Sequence, residues 1–184
     1  MKFLTLCLLL SLCAIAIGAV EVDFATEGSR LGYVVRDTQT NAEPLFIPSA
    51  YQQAARDSRD FAVNKIKAAA IFYNADHSAV VIEEANHRFL GSLFIVKARP
   101  GQPPRLLFST GNDLHASSQT GLNWERYRYA FTEWKDTERL TLSLHGRYFT
   151  PQSRAITPAT FEVDINLHAD STRAIVRDSI SPQP

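Results

Sequence analysis

The sequence predicts a mainly β fold, an antiparallel β-sandwich or partly closed β-barrel with one N-terminal α-helix, on three observations. Between Ala68 and Thr110, four short runs rich in β-branched and aromatic residues are separated by Asn, Asp, His, Gly and Pro, the pattern of a strand meander. In the C-terminal half, apolar and polar side chains alternate with period two in three separate stretches. Only one segment, Ala50 to Lys67, has the spacing of an amphipathic helix.

In chain order, Met1 and Lys2 precede the apolar run Phe3 to Ile17, which ends in Gly18 and Ala19. A positive start, an apolar middle and a small-residue end make a secretory signal peptide. A cut after Gly18 puts Ala16 and Gly18 at the two positions that must be small, whereas a cut after Ala19 puts Ile17 at one of them. The run is shorter than the roughly 20 residues of a spanning helix. Residues 1–18 are therefore expected to be removed, leaving 19–184 as a single exported β-rich domain, extracellular or, in a bacterium, periplasmic.

Both cysteines, Cys7 and Cys13, lie in this leader, so no disulfide is expected and the core alone must hold the domain together. Ser11 and Leu12 before Cys13 fit poorly with a lipid-anchored cysteine. The chain is 45% hydrophobic and 21% charged, a globular composition that excludes extensive disorder. Losing Lys2 leaves 18 basic against 19 acidic side chains, so no global field favours nucleic acid or an anionic membrane surface. The remaining basic residues are 14 Arg against 4 Lys, a bias that suits bidentate anion contacts as well as lineage preference.

Val22 to Asp37 predicts strand structure around an EGSR turn, with Leu31, Tyr33 and Val35 alternating. Asn41, Pro44 and Pro48 predict a loop over Thr38 to Pro48. Ser49 is then the expected cap of the helix to Lys67, which buries Ala54, Ala55, Phe61, Ala62 and Ile66 against the sheet. The meander follows as Ala69 to Tyr73, Ala79 to Glu83, Phe89 to Val96 and Arg105 to Ser109, with a stiff RPGQPP turn before the last. Tyr127, Tyr129 and Phe131 oppose Arg126, Arg128 and Thr132; Leu140, Leu142 and Leu144 oppose Thr141, Ser143 and His145; Phe161 to Leu167 alternate likewise. One buried and one wet face is the antiparallel pattern. A short strand through Ala174 to Val176 and a frayed tail from Ser181 complete eight to ten strands.

The chemical groups are thinly spread. Asp76, His77 and Ser78 are sequence neighbours in one turn, whereas catalytic triads converge from separate segments. His145 and His168 would approach with Asp164 or Glu162 only if their strands paired in the right register, and no metal is expected there. His77 and His87 have no ligand spacing. RYRY places Tyr and Arg on opposite faces, which argues for structure over single-strand stacking. Trp124 and Trp134 with the tyrosines offer a sugar platform or, equally, core closure. No GxSxG, P-loop, HExxH, EF-hand or GxGxxG motif occurs, and no cofactor is expected.

The long polar segment Ser109 to Leu122 is where a β scaffold concentrates binding, with Asn112, Asp113, His115, Ser117 and Ser118 as candidate ligand contacts. The sequence thus predicts a non-enzymatic binding protein, engaging a small ligand or a protein partner outside the cytoplasm, with neither nucleic acid nor stable membrane insertion. A barrel version predicts a cavity lined by Phe94, Tyr129 and Leu142. An enzyme inhibitor would project Pro100 to Pro104 or Asn112 to Gln119. A hydrolase would need His77, His115 or His145 to meet a carboxylate.

Overall fold

The structure, a computed structural model, describes residues 19–26, 28–52, 54–84, 92–110, 120–149, 155–168 and 171–176, with side chains as far as Leu167. The leader and the C-terminal tail lie outside the described residues. The chain is mainly β, in three antiparallel sheets.

The first sheet holds β1 (Val20–Ala25), β2 (Gly32–Asp37) and β3 (Leu45–Pro48) in that order. The second, central sheet is β4 (Ala70–Tyr73), β5 (Ala79–Glu83), β6 (Leu93–Arg99) and β7 (Gln102–Ser109). The third orders β11 (Ser171–Val176), β10 (Ile156–His168), β9 (Arg139–Phe149) and β8 (Asn123–Trp134). Among the described residues there are eleven strands where eight to ten were expected, and no described sheet closes on itself.

The central sheet is buried on both faces, which explains why β5 reads AVVI without a polar partner position. Ala79 and Val81, with Leu93 and Ile95 of β6 and Phe108 of β7, pack against Leu140, Leu142, Leu144, Val163, Ile165 and Leu167 of the third sheet. Val80 and Ile82, with Phe94, Val96 and Ala98, pack against Tyr33, Val35, Ile47, Tyr51, Ala62 and Ile66 of the N-terminal layer. Phe94 is therefore separated from Tyr129 and Leu142 by the thickness of a sheet, and the three do not line one cavity.

Two consecutive glutamates repeat this division. Glu83 faces the third sheet and accepts the Phe131 N–H at 2.8 Å. Glu84 faces the first and accepts from the Ser49 and Tyr33 hydroxyls and from the Ala50 and Ser92 N–H groups. Asn74 adds a third tie, its Nδ2 donating to the Thr137 carbonyl at 2.9 Å.

Three elements differ from expectation. Pro44 and Pro48 bracket a strand rather than break one: Leu45, Phe46 and Ile47 of β3 pair with Val35, Val34 and Tyr33 of β2. The backbones close at Gly32, where a Cβ would run into the Ile47 carbonyl. The helix is also shorter: Ser49 Oγ donates to Glu84 and accepts the Tyr51 N–H at 3.0 Å, so that it caps a single turn only. Single 3-10 turns at Ala50–Gln52 and Ala54–Arg56 come first, and α1 (Arg59–Lys67) starts only where Ser58 caps it, its Oγ accepting the Phe61 N–H. Finally, RPGQPP turns over Pro100 and Gly101 alone, Gly101 taking the positive φ of 74°. Pro103 and Pro104 belong to β7, which tolerates them as an edge strand.

Candidate functional site

Strands β8, β9 and β10 run 12, 11 and 13 residues, whereas those of the central sheet run four to eight. Contacts fix where the excess goes. Phe131 sits level with the end of β5 through Glu83, and Trp134 Nε1 donates to the Phe72 carbonyl further down. Trp124 to Tyr129 therefore continue past β5, at the end where segment 111–119 joins the scaffold.

Both stems of that segment are tied down. The Thr110 hydroxyl accepts the Leu93 N–H at 3.0 Å, and the Thr110 N–H returns a bond to the Leu93 carbonyl. On the other side, Thr120 Oγ1 accepts Trp124 Nε1 at 2.9 Å. That bond, with a close approach at Gly146, fixes the indole. A Cβ on Gly146 would lie 2.5 Å from both the Arg126 carbonyl and the indole edge, so only glycine allows β9 to pass this close.

An aromatic cluster forms around the indole. Tyr127, Tyr148 and Phe161 meet Trp124 edge-on, with centroids 6.0, 6.0 and 5.9 Å away, and Tyr127 meets Tyr129 in the same way at 6.0 Å. Such tilted contacts suit the ring quadrupoles. They also remove any flat exposed platform, so the sugar-stacking surface is not formed: Trp124 is buried and Trp134 lies apart.

Tyr129 decides the character of this end. It is 7% exposed, and its hydroxyl has no hydrogen-bond partner among the described residues. Burial, with the neighbouring Tyr127 phenol, pushes its pKa well above the ordinary tyrosine value, so the group remains a protonated donor. A buried polar atom without a partner is disfavoured and uncommon in native proteins. The chain matches no protein-family model, no curated protein and no solved structure with which it was compared. The arrangement itself is an aromatic cluster that contains one buried hydroxyl donor, that of Tyr129.

Asn112, Asp113, His115, Ser117 and Ser118 lie outside the described residues, as do Asn112 to Gln119 as a whole and His87. His77 is turned away from Asp76 and Ser78: it takes a φ of 55° and stacks on Tyr73 at 5.0 Å, while Ser78 Oγ donates to Asp76 at 2.7 Å. His145 lies between hydroxyls, Nδ1 3.1 Å from Thr160 Oγ1 and Nε2 2.9 Å from Ser143 Oγ, with no carboxylate on either nitrogen. Partial burial first, and the Arg128 charge second, hold its pKa below the usual imidazole value. β9 and β10 are neighbours, but their register pairs His145 with Thr160 and Asn166 with Arg139. That separates His145 from His168 by roughly 25 Å along the sheet.

Glu84 is 3% exposed with four donors on its carboxylate, a closed structural clamp rather than an open site. Outside β2 and β3, an open hollow of about 360 Å³ is lined by Ala25, Arg30, Val34, Glu43, Pro44 and Phe46. Its cation is already engaged, the Arg30 guanidinium lying 4.0 Å above the Phe46 ring.

Proposed function

We propose that this chain is an exported, non-enzymatic binding protein that holds a small, mainly apolar ligand at the aromatic end of its third sheet. The observation that carries the reading is the buried Tyr129 hydroxyl with nothing to donate to among the described residues, set beside Trp124, Tyr127, Tyr148 and Phe161. A ligand carbonyl, ether or carboxylate would supply the missing acceptor. The charged-start, apolar-middle leader supports export. We read the three sheets as stacked, a sandwich with an added N-terminal layer, because separate hydrophobic clusters occupy the two faces of the central sheet.

The test is native mass spectrometry of the protein purified gently from its own source, followed by denaturation. A released small molecule, apolar with at least one hydrogen-bond acceptor, is the expected result. An empty chain overturns the reading.

A further inference from the structure

A net charge near zero conceals a sharp division on the outer face of the third sheet. The β8–β9–β10 register fixes the rows across that face. At its upper end Asn123, Phe149 and Ile156 align, and Phe149 and Ile156 are two of the five large apolar side chains exposed among the described residues, at 36% and 38%. The next outward row is Arg126, Arg147 and Pro158; the next is Arg128, His145 and Thr160. Further down, acidic groups enter: Glu162 opposite Ser143, then Glu133 and Asp164 either side of Thr141, with Lys135 bound to Asp164.

Adjacent strands hold facing side chains about 5 Å apart, and alternate residues along a strand are separated by about 7 Å. Three guanidinium groups therefore crowd into a patch two rows deep. Directly opposed like charges such as Arg126 and Arg147 disfavour a sheet unless something compensates. Glu125 supplies a carboxylate to the patch, pairing with Arg126 at 3.3 Å and more loosely with Arg147 at 3.8 Å. Arg128 makes no ion pair among the described residues and instead depresses His145.

We propose that this patch docks the protein on an anionic lipid surface, with Phe149 and Ile156 at the headgroup boundary and Arg126, Arg128 and Arg147 on the lipid phosphates. The choice of occupant follows from charge complementarity and the exposed apolar pair together. An exposed apolar pair beside a basic cluster matches an array that is itself anionic and apolar by turns. The inference is independent of the ligand at Tyr129, which lies on the opposite face of the same sheet.

The experiment is flotation of the purified chain with vesicles of phosphatidylcholine alone and with about one-third phosphatidylglycerol added. Binding to the anionic vesicles only, weakening as salt is raised, is expected. Replacing Arg126, Arg128 and Arg147 together by Gln should weaken it by roughly 100-fold, about fivefold for each arginine. Phe149→Ser with Ile156→Ser should also weaken it, whereas Lys135→Gln with Arg139→Gln, at the other end of the face, should not. Circular dichroism of each variant confirms that it is folded. No binding to anionic vesicles overturns the proposal, as does undiminished binding by the triple variant or equal loss in the Lys135 and Arg139 control. Preference for soluble polyglutamate over vesicles also overturns it, and assigns the patch to an acidic protein.

Discussion

Replacing Glu84 by Ala should be among the most damaging single changes in the molecule. The carboxylate accepts from four donors: the Ser49 hydroxyl, the Tyr33 hydroxyl at 3.2 Å, the Ala50 N–H at 3.2 Å and the Ser92 N–H at 2.9 Å. Tyr33 and Ser49 are themselves 1% and 5% exposed, so their hydroxyls have little recourse to water. Each buried donor left without an acceptor costs about 1–3 kcal/mol, reduced where rotation or water relieves it, which gives a loss of about 3–5 kcal/mol for the site. That is at least about a fifth of the stability of an ordinary domain, about 5–15 kcal/mol. Glu84→Gln keeps one acceptor oxygen but turns an amide donor toward other donors, for a loss of about 2–3 kcal/mol; Ser49→Ala removes one donor to Glu84 and the acceptor of the Tyr51 N–H, at about 1–2 kcal/mol. Urea unfolding followed by circular dichroism, with an unchanged denaturant slope, measures all three. Burial, the largest influence, raises the Glu84 pKa against the pull of its four donors. The folded chain therefore holds this proton more tightly than the unfolded chain, so the contribution is full below the unfolded-state value and declines as pH rises through the raised one. The gap between wild type and Glu84→Gln accordingly narrows from acid to neutral pH. A Glu84→Ala loss below about 1 kcal/mol, or a gap that widens toward neutrality, would refute the reasoning.

Other outcomes follow from the same contacts. Gly146→Ala forces Trp124 from its place and should lose about 1–3 kcal/mol in the same unfolding assay, together with any bound ligand; unchanged stability would mean that the indole has room to shift. The imidazole of His145 should titrate below the usual histidine value by NMR, and Arg128→Gln should move it upward, since the arginine charge is one of the two influences lowering it. Because that pKa is depressed on folding, the stability linked to His145 is present above the unfolded value and lost as pH falls through the folded one. Ser58→Ala should cost about 1 kcal/mol through loss of the α1 cap, confirming by thermal unfolding that the helix begins at Ser58.

The strands of the third sheet were legible because their periodicity is local. Leu140, Leu142 and Leu144 are buried as their alternation requires, and Val163, Ile165 and Leu167 likewise. Ala79 to Glu83 is strand to the residue. What the sequence could not display is how many layers there are, since that depends on contacts between distant segments. The unbroken AVVI of β5 is the trace of a sheet covered on both sides. β3 was hidden because Pro44 and Pro48 read as breakers, although they flank an apolar LFI run that completes a sheet edge. The helix start was misplaced because both Ser49 and Ser58 cap turns, and only the fold shows that Ser49 caps a single 3-10 turn and Ser58 the helix.

The candidate site was half visible. The alternation of Tyr127, Tyr129 and Phe131 puts all three on the inner face, but an unpartnered hydroxyl is an absence, and residue spacing carries no mark of it. Glu84 had a signal that went unused: a second glutamate directly after a fully apolar strand must find buried donors or unfold the strand end. The arginine patch was masked by counting charges along the chain, where Glu162, Asp164 and Glu133 cancel what the register keeps apart.

The central claim is that Tyr129 completes its hydrogen bonding with a ligand. The most direct test purifies wild type and Tyr129→Phe side by side from the protein's own source and compares bound small molecule by native mass spectrometry. The account predicts an occupied wild type and a folded variant with less than about a tenth of that occupancy, the loss expected when a buried acceptor on the ligand is left unpaired. Equal occupancy of the two, or a wild type that arrives empty, would contradict it.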